Sequence, residues 1–261
     1  MLRRIGLWLR PAGWPPLPDG VCRRTLLLAW SAIVAQAIFI AGWVLGGALE
    51  AHYSPLRQYI SELGRRGAAH PWIFSISVAI WGLGFIGLAI ALAPALRTRP
   101  SAKAMPLLFV LAGACAIAVA PLRMDCSPTV SHLCRLRELA GTLSWHHYAH
   151  EWASLGINAF LLLTPFAIAR SAWPGRLARL TLGGGLAVLA VWVVTSYGLH
   201  DHIAGYQGLE ERLWALVAQV WTVLCATALI LEATLDPDAV HPAPQPRELW
   251  PLTATASADP S

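Results

Sequence analysis

Long apolar runs alternate with short polar segments along this 261-residue chain. Six runs contain no Asp, Glu, Lys, Arg or His, and they cover residues 25–49, 71–96, 104–122, 152–169, 180–199 and 213–231. Crossing the hydrocarbon core of a bilayer takes about 20 apolar residues as a helix, and helices satisfy their own backbone groups there. The pattern therefore predicts an all-α, polytopic membrane protein with a bundle of six transmembrane helices within residues 25–231.

The composition supports this class, because 56% of the residues are hydrophobic and only 13% are charged, whereas soluble domains carry about a quarter charged residues. The tail from residue 232 to 261 holds six prolines and five acidic residues. That composition is typical of disorder. We therefore expect three parts: an amino-terminal segment (1–24), the helical domain (25–231) and a disordered tail (232–261).

Basic residues alternate in density between the segments that connect the runs. Segments 1–24, 97–103 and 170–179 hold 11 Lys and Arg in 41 residues, whereas segments 50–70, 123–151 and 198–212 hold 7 in 65 residues. The positive-inside rule then predicts a protein of the cell membrane with both termini in the cytoplasm. Segments 50–70, 123–151 and 198–212 are then expected outside the cytoplasm, and we call them the outer segments. The net charge of +5 is mostly this orientation signal, so we expect membrane lipid as a partner and no nucleic acid.

Two of the five cysteines, Cys126 and Cys134, share the outer segment 123–151. Disulfides form in oxidising compartments, so a Cys126–Cys134 disulfide is predicted. Metal ligation together with His132 stays open as the alternative, although seven residues between two cysteines match no common zinc spacing.

Histidines concentrate in the same outer segments, which hold eight of the nine in the chain. His146 and His150 are four residues apart and share one face of a helix. With His200 or His202 as a third ligand they could bind zinc, and Asp125 or Glu151 could then act as a base on bound water. The alternative is that these rings simply suit a membrane interface, where the ring is apolar and its nitrogen stays wet.

The first outer segment contains an apolar stripe at helical spacing, formed by Leu56, Tyr59, Ile60 and Leu63. Gly64 can end such a helix. We therefore predict a short interfacial helix here.

Arg212 directly precedes the sixth run, and an arginine at that depth needs a carboxylate partner or access to headgroups. The candidate partners are Glu62, Asp125 and Glu211. We predict a charge-assisted contact between Arg212 and Glu62 or Asp125, with His150 within hydrogen-bonding reach of the same group.

The stretch "YSPLRQYISELG", followed by "HPWIF", resembles the signature of the bacterial domain-of-unknown-function 998 family. Members are similar to this chain in having about six spans, an acidic residue after the third, a histidine opening the fourth and a G-L-x-E-R motif before the last. The positions that match here are Asp125, His150, Gly208, Leu209, Glu211 and Arg212.

The resemblance covers roughly residues 25–232, with two departures. Glu62 stands where the family has aspartate. The loop between Asp125 and His150 is longer than in the family, so His146 or His147 could occupy the family's histidine position instead of His150. The family has no established activity, so the resemblance implies a fold and no reaction. The same stretch is more distantly similar to damage-regulated autophagy modulator-type membrane proteins, whose wider group is linked to lipid handling.

Three functions remain open. The first, which we favour, is a non-enzymatic membrane protein that needs no cofactor and binds a lipid headgroup or small ligand through Ser61, Glu62, Asp125, His150 and Arg212. The second is a membrane-embedded hydrolase acting on lipid with zinc at the histidines named above. The third is a transporter of a neutral or apolar solute, which is disfavoured because the runs contain only Gln36, Asn158, Gln219 and hydroxyls as polar groups. The sequence predicts no oligomeric state.

Overall fold

The computed structural model describes residues 22–95, 103–172, 175–193 and 205–235, and these residues form seven α-helices and no strand. The helices are α1 (Cys22–Leu49), α2 (Pro71–Ala95), α3 (Ala104–Val119), α4 (His132–Leu139), α5 (Trp145–Ala172), α6 (Arg176–Val193) and α7 (Gln207–Leu235). The predicted all-α class is confirmed. Most of the predicted amino-terminal segment and most of the predicted tail lie outside the described residues.

Within the described residues, four helices are long and apolar enough to cross a membrane, namely α1, α2, α5 and α7. The two remaining apolar runs overlap α3 and α6, whose apolar parts within the described residues are shorter. The apolar pattern therefore predicted a helix for every run, and the length required of a span is met by four of them.

Helices that follow one another pack side by side: α1 on α2, α2 on α3, α3 on α5 and α5 on α6, while α7 packs against α1. The connections 50–70 and 120–144 and the start of α7 meet at one end of the bundle. Arg66 N donates to Met124 O, and Leu209 N donates to Leu56 O. We call this end, formed by residues 50–70, 120–151 and 205–212, the polar end.

An aromatic stack fills the centre of the bundle. Phe39 of α1 stacks on Trp81 of α2, with ring centroids 4.3 Å apart, and Phe85 continues the stack towards α3. Gly82 and Gly113 let α2 and α3 approach closely, since a Cβ on either would lie 2.6 Å from the carbonyl oxygen of the other. Small residues at helix contacts are typical of membrane bundles, where packing rather than water exclusion drives association.

Residues 50–70 do not form the predicted interfacial helix. Only one 3₁₀ turn, Ser61–Gly64, is present. Ile60 and Leu63 are buried as expected, but Leu56 is 51% exposed. The carbonyl groups of Pro55 and Gln58 accept from Arg212, so these residues bond to α7 instead of to a helix of their own.

Two helix starts differ from the sequence pattern. Helix α5 begins at Trp145, seven residues before the apolar run that predicted it, and so includes all three histidines of the "WHHYAH" stretch. Helix α4 was not predicted. Its signals were Ser131, whose hydroxyl caps the helix by accepting from Cys134 N, and Gly141 just beyond its end, with φ +68°. A polar cap and a following glycine are ordinary helix boundaries.

Candidate functional site at the polar end

Glu62 is the most buried charged residue of the polar end, with no exposed surface. Its Oε1 accepts from Thr129 N and Thr129 Oγ1, at 3.2 and 2.7 Å. Its Oε2 accepts from Gln58 Nε2 at 3.2 Å and from Ser127 Oγ at 3.0 Å. Four donors thus surround one carboxylate, and these hydrogen bonds connect residues 50–70 to the segment before α4.

Asp125 joins three separate parts of the chain. Its carboxylate accepts from Ser144 N at 2.6 Å and from Ser144 Oγ at 2.8 Å, and it lies 3.1 Å from Arg66 Nη1. Burial alone would raise the pKa of Asp125, but the Ser144 hydrogen bonds and the Arg66 charge outweigh burial and lower it. The cation that pairs with Asp125 is therefore Arg66.

Arg212 makes a different set of contacts from those predicted. Its Nη1 donates to Pro55 O, Gln58 O and Gly208 O at 2.6, 3.0 and 2.8 Å, and its Nη2 donates to Tyr53 Oη at 2.6 Å. The guanidinium also lies over the Trp43 ring, 5.3 Å from its centroid. Among the described residues no carboxylate lies within ion-pair distance of it.

The predicted Arg212 contact with Glu62 or Asp125 was therefore wrong, because hydrogen bonds from nearer loops occupy both carboxylates. Gln58 links Arg212 to Glu62 indirectly, since its carbonyl accepts from Arg212 and its amide donates to Glu62. Ser61 begins the 3₁₀ turn, and its backbone N–H bonds Glu211. Glu211 also accepts from Ile60 N.

His150 lies apart from these groups. Its Nδ1 is 2.5 Å from Leu122 O, and its ring is 6.4 Å from that of Phe74. The side chain is 2% exposed, and Nε2 is buried without a hydrogen-bond partner. Because a backbone carbonyl can only accept, Nδ1 carries the ring proton. The five residues predicted as one cluster thus occupy one end of the bundle but form no single contact set.

The predicted zinc ligands do not converge. His146 Nδ1 faces Ser144 Oγ and Arg66 Nη2, both at 3.2 Å, whereas His150 faces Leu122. His200 and His202 lie outside the described residues. The arrangement of His146 and His150 therefore offers a metal no shared position.

A different group converges instead, formed by Glu138 of α4 and by His147 and Glu151 of α5. Their possible ligand atoms all lie within 4.8 Å of one another. His147 has no exposed surface, and its Nε2 is 3.1 Å from Glu151 Oε1 and 4.0 Å from Glu138 Oε1. The Nε2 contact with Glu151 is close but poorly aligned for a hydrogen bond. The four-residue spacing of His147 and Glu151 was the available sequence signal.

The protonation of His147 bears on whether this group holds a metal. Asp125 N donates to His147 Nδ1 at 3.2 Å, so in the neutral ring the proton is on Nε2. A metal-bound histidine usually donates its other nitrogen to an acceptor, which is the opposite arrangement. Burial and the neighbouring Glu151 carboxylate raise the pKa of Glu138 to about 7. The three residues therefore fit a shared-proton group better than a zinc centre.

The structure joins Cys126 and Cys134 in a disulfide, with their Cα atoms 6.0 Å apart. The closed loop contains Ser127 and Thr129, which donate to Glu62. It also fixes the start of α4, which carries Glu138.

A set of unsatisfied polar atoms was not predicted. In the described residues, six buried side-chain nitrogen or oxygen atoms have no hydrogen-bond partner. Two are the Nε2 atoms of His147 and His150 on α5. The other four belong to the packed pair of helices α1 and α7: Trp43 Nε1, Arg212 Nε, Gln219 Nε2 and Gln219 Oε1.

The model of one protein family, described as Protein of unknown function (DUF998), matches residues 33–228. The matched range includes Glu62, Asp125, His150 and Arg212. No curated protein and no solved structure matches the chain.

Proposed function

We propose, from the premise that this chain belongs to the DUF998 family, that it is an integral membrane protein that binds an anionic lipid headgroup or small ligand at Arg212. In this proposal six helices cross the cell membrane, both termini are cytoplasmic, and the polar end lies outside the cytoplasm. The distribution of Lys and Arg supports that orientation, and the apolar surfaces of α1, α2, α5 and α7 support the membrane location.

The observation that supports the proposal is that the Arg212 side chain is buried without an ion-pair partner in the described residues and with one donor unused. It is 7% exposed, it has no carboxylate at ion-pair distance within the described segments, and its Nε donor is unused. Buried charges are normally paired, and intramembrane ionisable residues usually mark a functional site. The indole Nε1 of Trp43, under the same guanidinium, is a second unused donor. In this proposal an anionic group of the ligand accepts from these donors.

Binding is favoured over catalysis because of what surrounds Arg212. Its neighbours are backbone carbonyls, a tyrosine hydroxyl and two aromatic rings. The adjacent acidic residue, Glu211, interacts electrostatically with Arg212, but its carboxylate is hydrogen-bonded to backbone N–H groups of Ile60 and Ser61 and makes no ion pair with the guanidinium. The donors that could hold an anion are Arg212 Nε and Trp43 Nε1, and the surrounding groups supply no nucleophile next to an activating base.

The test measures anionic lipid retained by the purified protein in native mass spectrometry. Trp43→Phe removes the Nε1 donor and keeps the ring that packs under Arg212, so we expect reduced retention in a folded protein. Arg212→Gln should abolish retention. The control Arg57→Gln, which changes an exposed arginine in residues 50–70, should have no effect. Equal retention by wild type, Trp43→Phe and Arg212→Gln would contradict the proposal.

A second candidate, zinc-dependent hydrolysis of lipid, is favoured by one observation, the convergence of Glu138, His147 and Glu151. If a metal were bound there, it would supply an activated water. The donated hydrogen bond from Asp125 N to His147 counts against it. Metal analysis of the purified protein decides: one zinc per chain, lost in His147→Ala and Glu151→Gln, would establish the centre, and absence of metal after zinc addition would exclude it.

A further inference from the structure

We infer that the ligand of Arg212 is a membrane lipid that enters sideways between α1 and α7, with its phosphate at Arg212 and Trp43 and an ester carbonyl accepting from the Gln219 amide. This inference rests on the proposed function and adds the class of ligand and its route.

Gln219 is the second polar position of this pair of helices. Its side chain is 3% exposed, and neither its amide nitrogen nor its amide oxygen has a hydrogen-bond partner. It follows Arg212 by seven residues on the same helix, which is about two turns, so the two side chains share one face with Gln219 about 10 Å deeper. A buried amide with both groups unsatisfied is expensive in hydrocarbon, and a bound polar group would offset that cost.

Helix α1 does not satisfy this amide. Arg212 lies over Trp43, so the packing of α1 against α7 sets Gln36, seven residues before Trp43, at about the depth of Gln219. Gln36 is already occupied, because its Oε1 accepts from Trp81 Nε1 at 2.5 Å and its Nε2 donates to Ala32 O at 3.2 Å. Gln219 therefore keeps both its NH₂ donor group and its carbonyl acceptor for another molecule.

Access from the polar end is closed by residues 53–58. Arg212 holds two carbonyl groups of this segment, and Leu209 N donates to Leu56 O at 3.0 Å. The contact is backbone to backbone, since a Cβ added at Gly208 would overlap the carbonyl oxygens of Gln58 and Pro55. A water-soluble anion approaching from outside meets this segment first.

The outer surface of this helix pair carries exposed apolar side chains next to Trp43 and Arg212. Val44 and Leu45, next to Trp43, are each 52% exposed, and Leu213, next to Arg212, is 53% exposed. A lipid can follow these side chains with its acyl chain. A phospholipid headgroup and a soluble phosphate ester offer the same anionic oxygens to Arg212, but only the lipid also has ester carbonyls on the hydrocarbon side of its phosphate that can accept from Gln219.

The experiment compares dioleoyl phosphatidylglycerol with glycerol 3-phosphate, using the full chain in nanodiscs of phosphatidylcholine. Retained phosphatidylglycerol is counted by native mass spectrometry, and glycerol 3-phosphate binding is measured by calorimetry. Gln219→Leu should lower phosphatidylglycerol retention about three- to tenfold, the range expected for one hydrogen bond. The matched control, Asn158→Leu, changes an exposed amide on α5 and should leave retention unchanged. Gln219→Glu, which brings a negative charge, should lower retention at least as much.

The outcomes separate the two proposals. If Trp43→Phe lowers lipid retention while Gln219→Leu and Gln219→Glu do not, the site at Arg212 stands and the deeper contact is overturned. If glycerol 3-phosphate binds and competes with the lipid regardless of Gln219, the ligand is a small anion and the lateral route is overturned. If no variant changes retention, the proposed function fails as well. Thermal unfolding of each variant confirms that the losses come from a folded protein.

Discussion

Replacement of Glu62 tests whether its carboxylate holds the polar end together. In Glu62→Leu four donors lose their acceptor. The hydroxyls of Ser127 and Thr129 can turn to other acceptors, but the Thr129 N–H and the Gln58 amide have less freedom. An unsatisfied buried donor costs about 1–3 kcal/mol. Two such donors, less the gain from an apolar side chain, give an expected loss of about 3 kcal/mol of unfolding free energy.

Glu62→Gln provides the graded comparison. Its single oxygen can still accept from Thr129, whereas its NH₂ group faces the Gln58 amide, so we expect about half the loss of Glu62→Leu. Equilibrium unfolding in mixed micelles with increasing dodecyl sulfate, followed by tryptophan fluorescence, measures both. A double-mutant cycle with Thr129→Val isolates the 2.7 Å contact. If Glu62→Leu lowers the unfolding free energy by less than about 1 kcal/mol, water reaches these donors and Glu62 does not hold the polar end together.

Four further predictions follow from particular contacts. Thiol labelling of unreduced, denatured protein should modify three of the five cysteines, and reduction should lower stability by roughly 2–3 kcal/mol through the Cys126–Cys134 loop; five labelled cysteines would refute the disulfide. Glu138→Gln should leave the melting temperature unchanged at pH 5 and raise it at pH 8. The pKa of Glu138 is raised from the ordinary value of 4.5 to about 7 in the folded protein, so the folded state loses stability as the pH rises through this range, and glutamine does not ionise. An equal shift at both pH values would argue against the proximity of Glu151. Gly82→Ala should destabilise by about 1–3 kcal/mol because its Cβ would overlap Gly113 O, whereas Gly183→Ala, with open space around it, should not. Reporter fusions at Ala68 and Ala140 should read extracytoplasmic and those at Ser101 and Ser171 cytoplasmic, and the reverse pattern would invert the proposed topology.

The helices were predictable because their signal is simple. An uninterrupted apolar run is stable in a membrane as a helix, and each of the six runs overlaps a helix in the described part of the chain. Boundaries were less predictable where polar residues extend a helix, as at Trp145, because hydropathy marks the depth of a segment and not its backbone conformation. Ser131 and Gly141 marked α4, but their signals lay inside a segment that charge had assigned to a loop.

The contacts at the polar end were not predictable in the same way. Arg212 and Glu62 are about equally deep, and depth alone suggested an ion pair. Depth gives no information on which loop carbonyls face the guanidinium, and in the structure Pro55 and Gln58 do. Which of His146, His147 and His150 faces the other polar groups depends on how α5 is rotated about its own axis. The sequence does not determine this rotation, because the start of α5 has both apolar and polar surroundings.

The contacts of α7 with residues 53–60 impose an order on biosynthesis. Arg212, Glu211 and Leu209 are the binding partners of a segment that leaves the ribosome about 150 residues earlier. Until the last helix is inserted, the carbonyls of Pro55 and Gln58 lack the guanidinium that holds them. An incomplete chain therefore carries a loose first segment, and arrival of α7 closes the bundle. We expect protease sensitivity between residues 53 and 60 to distinguish arrested chains from completed ones.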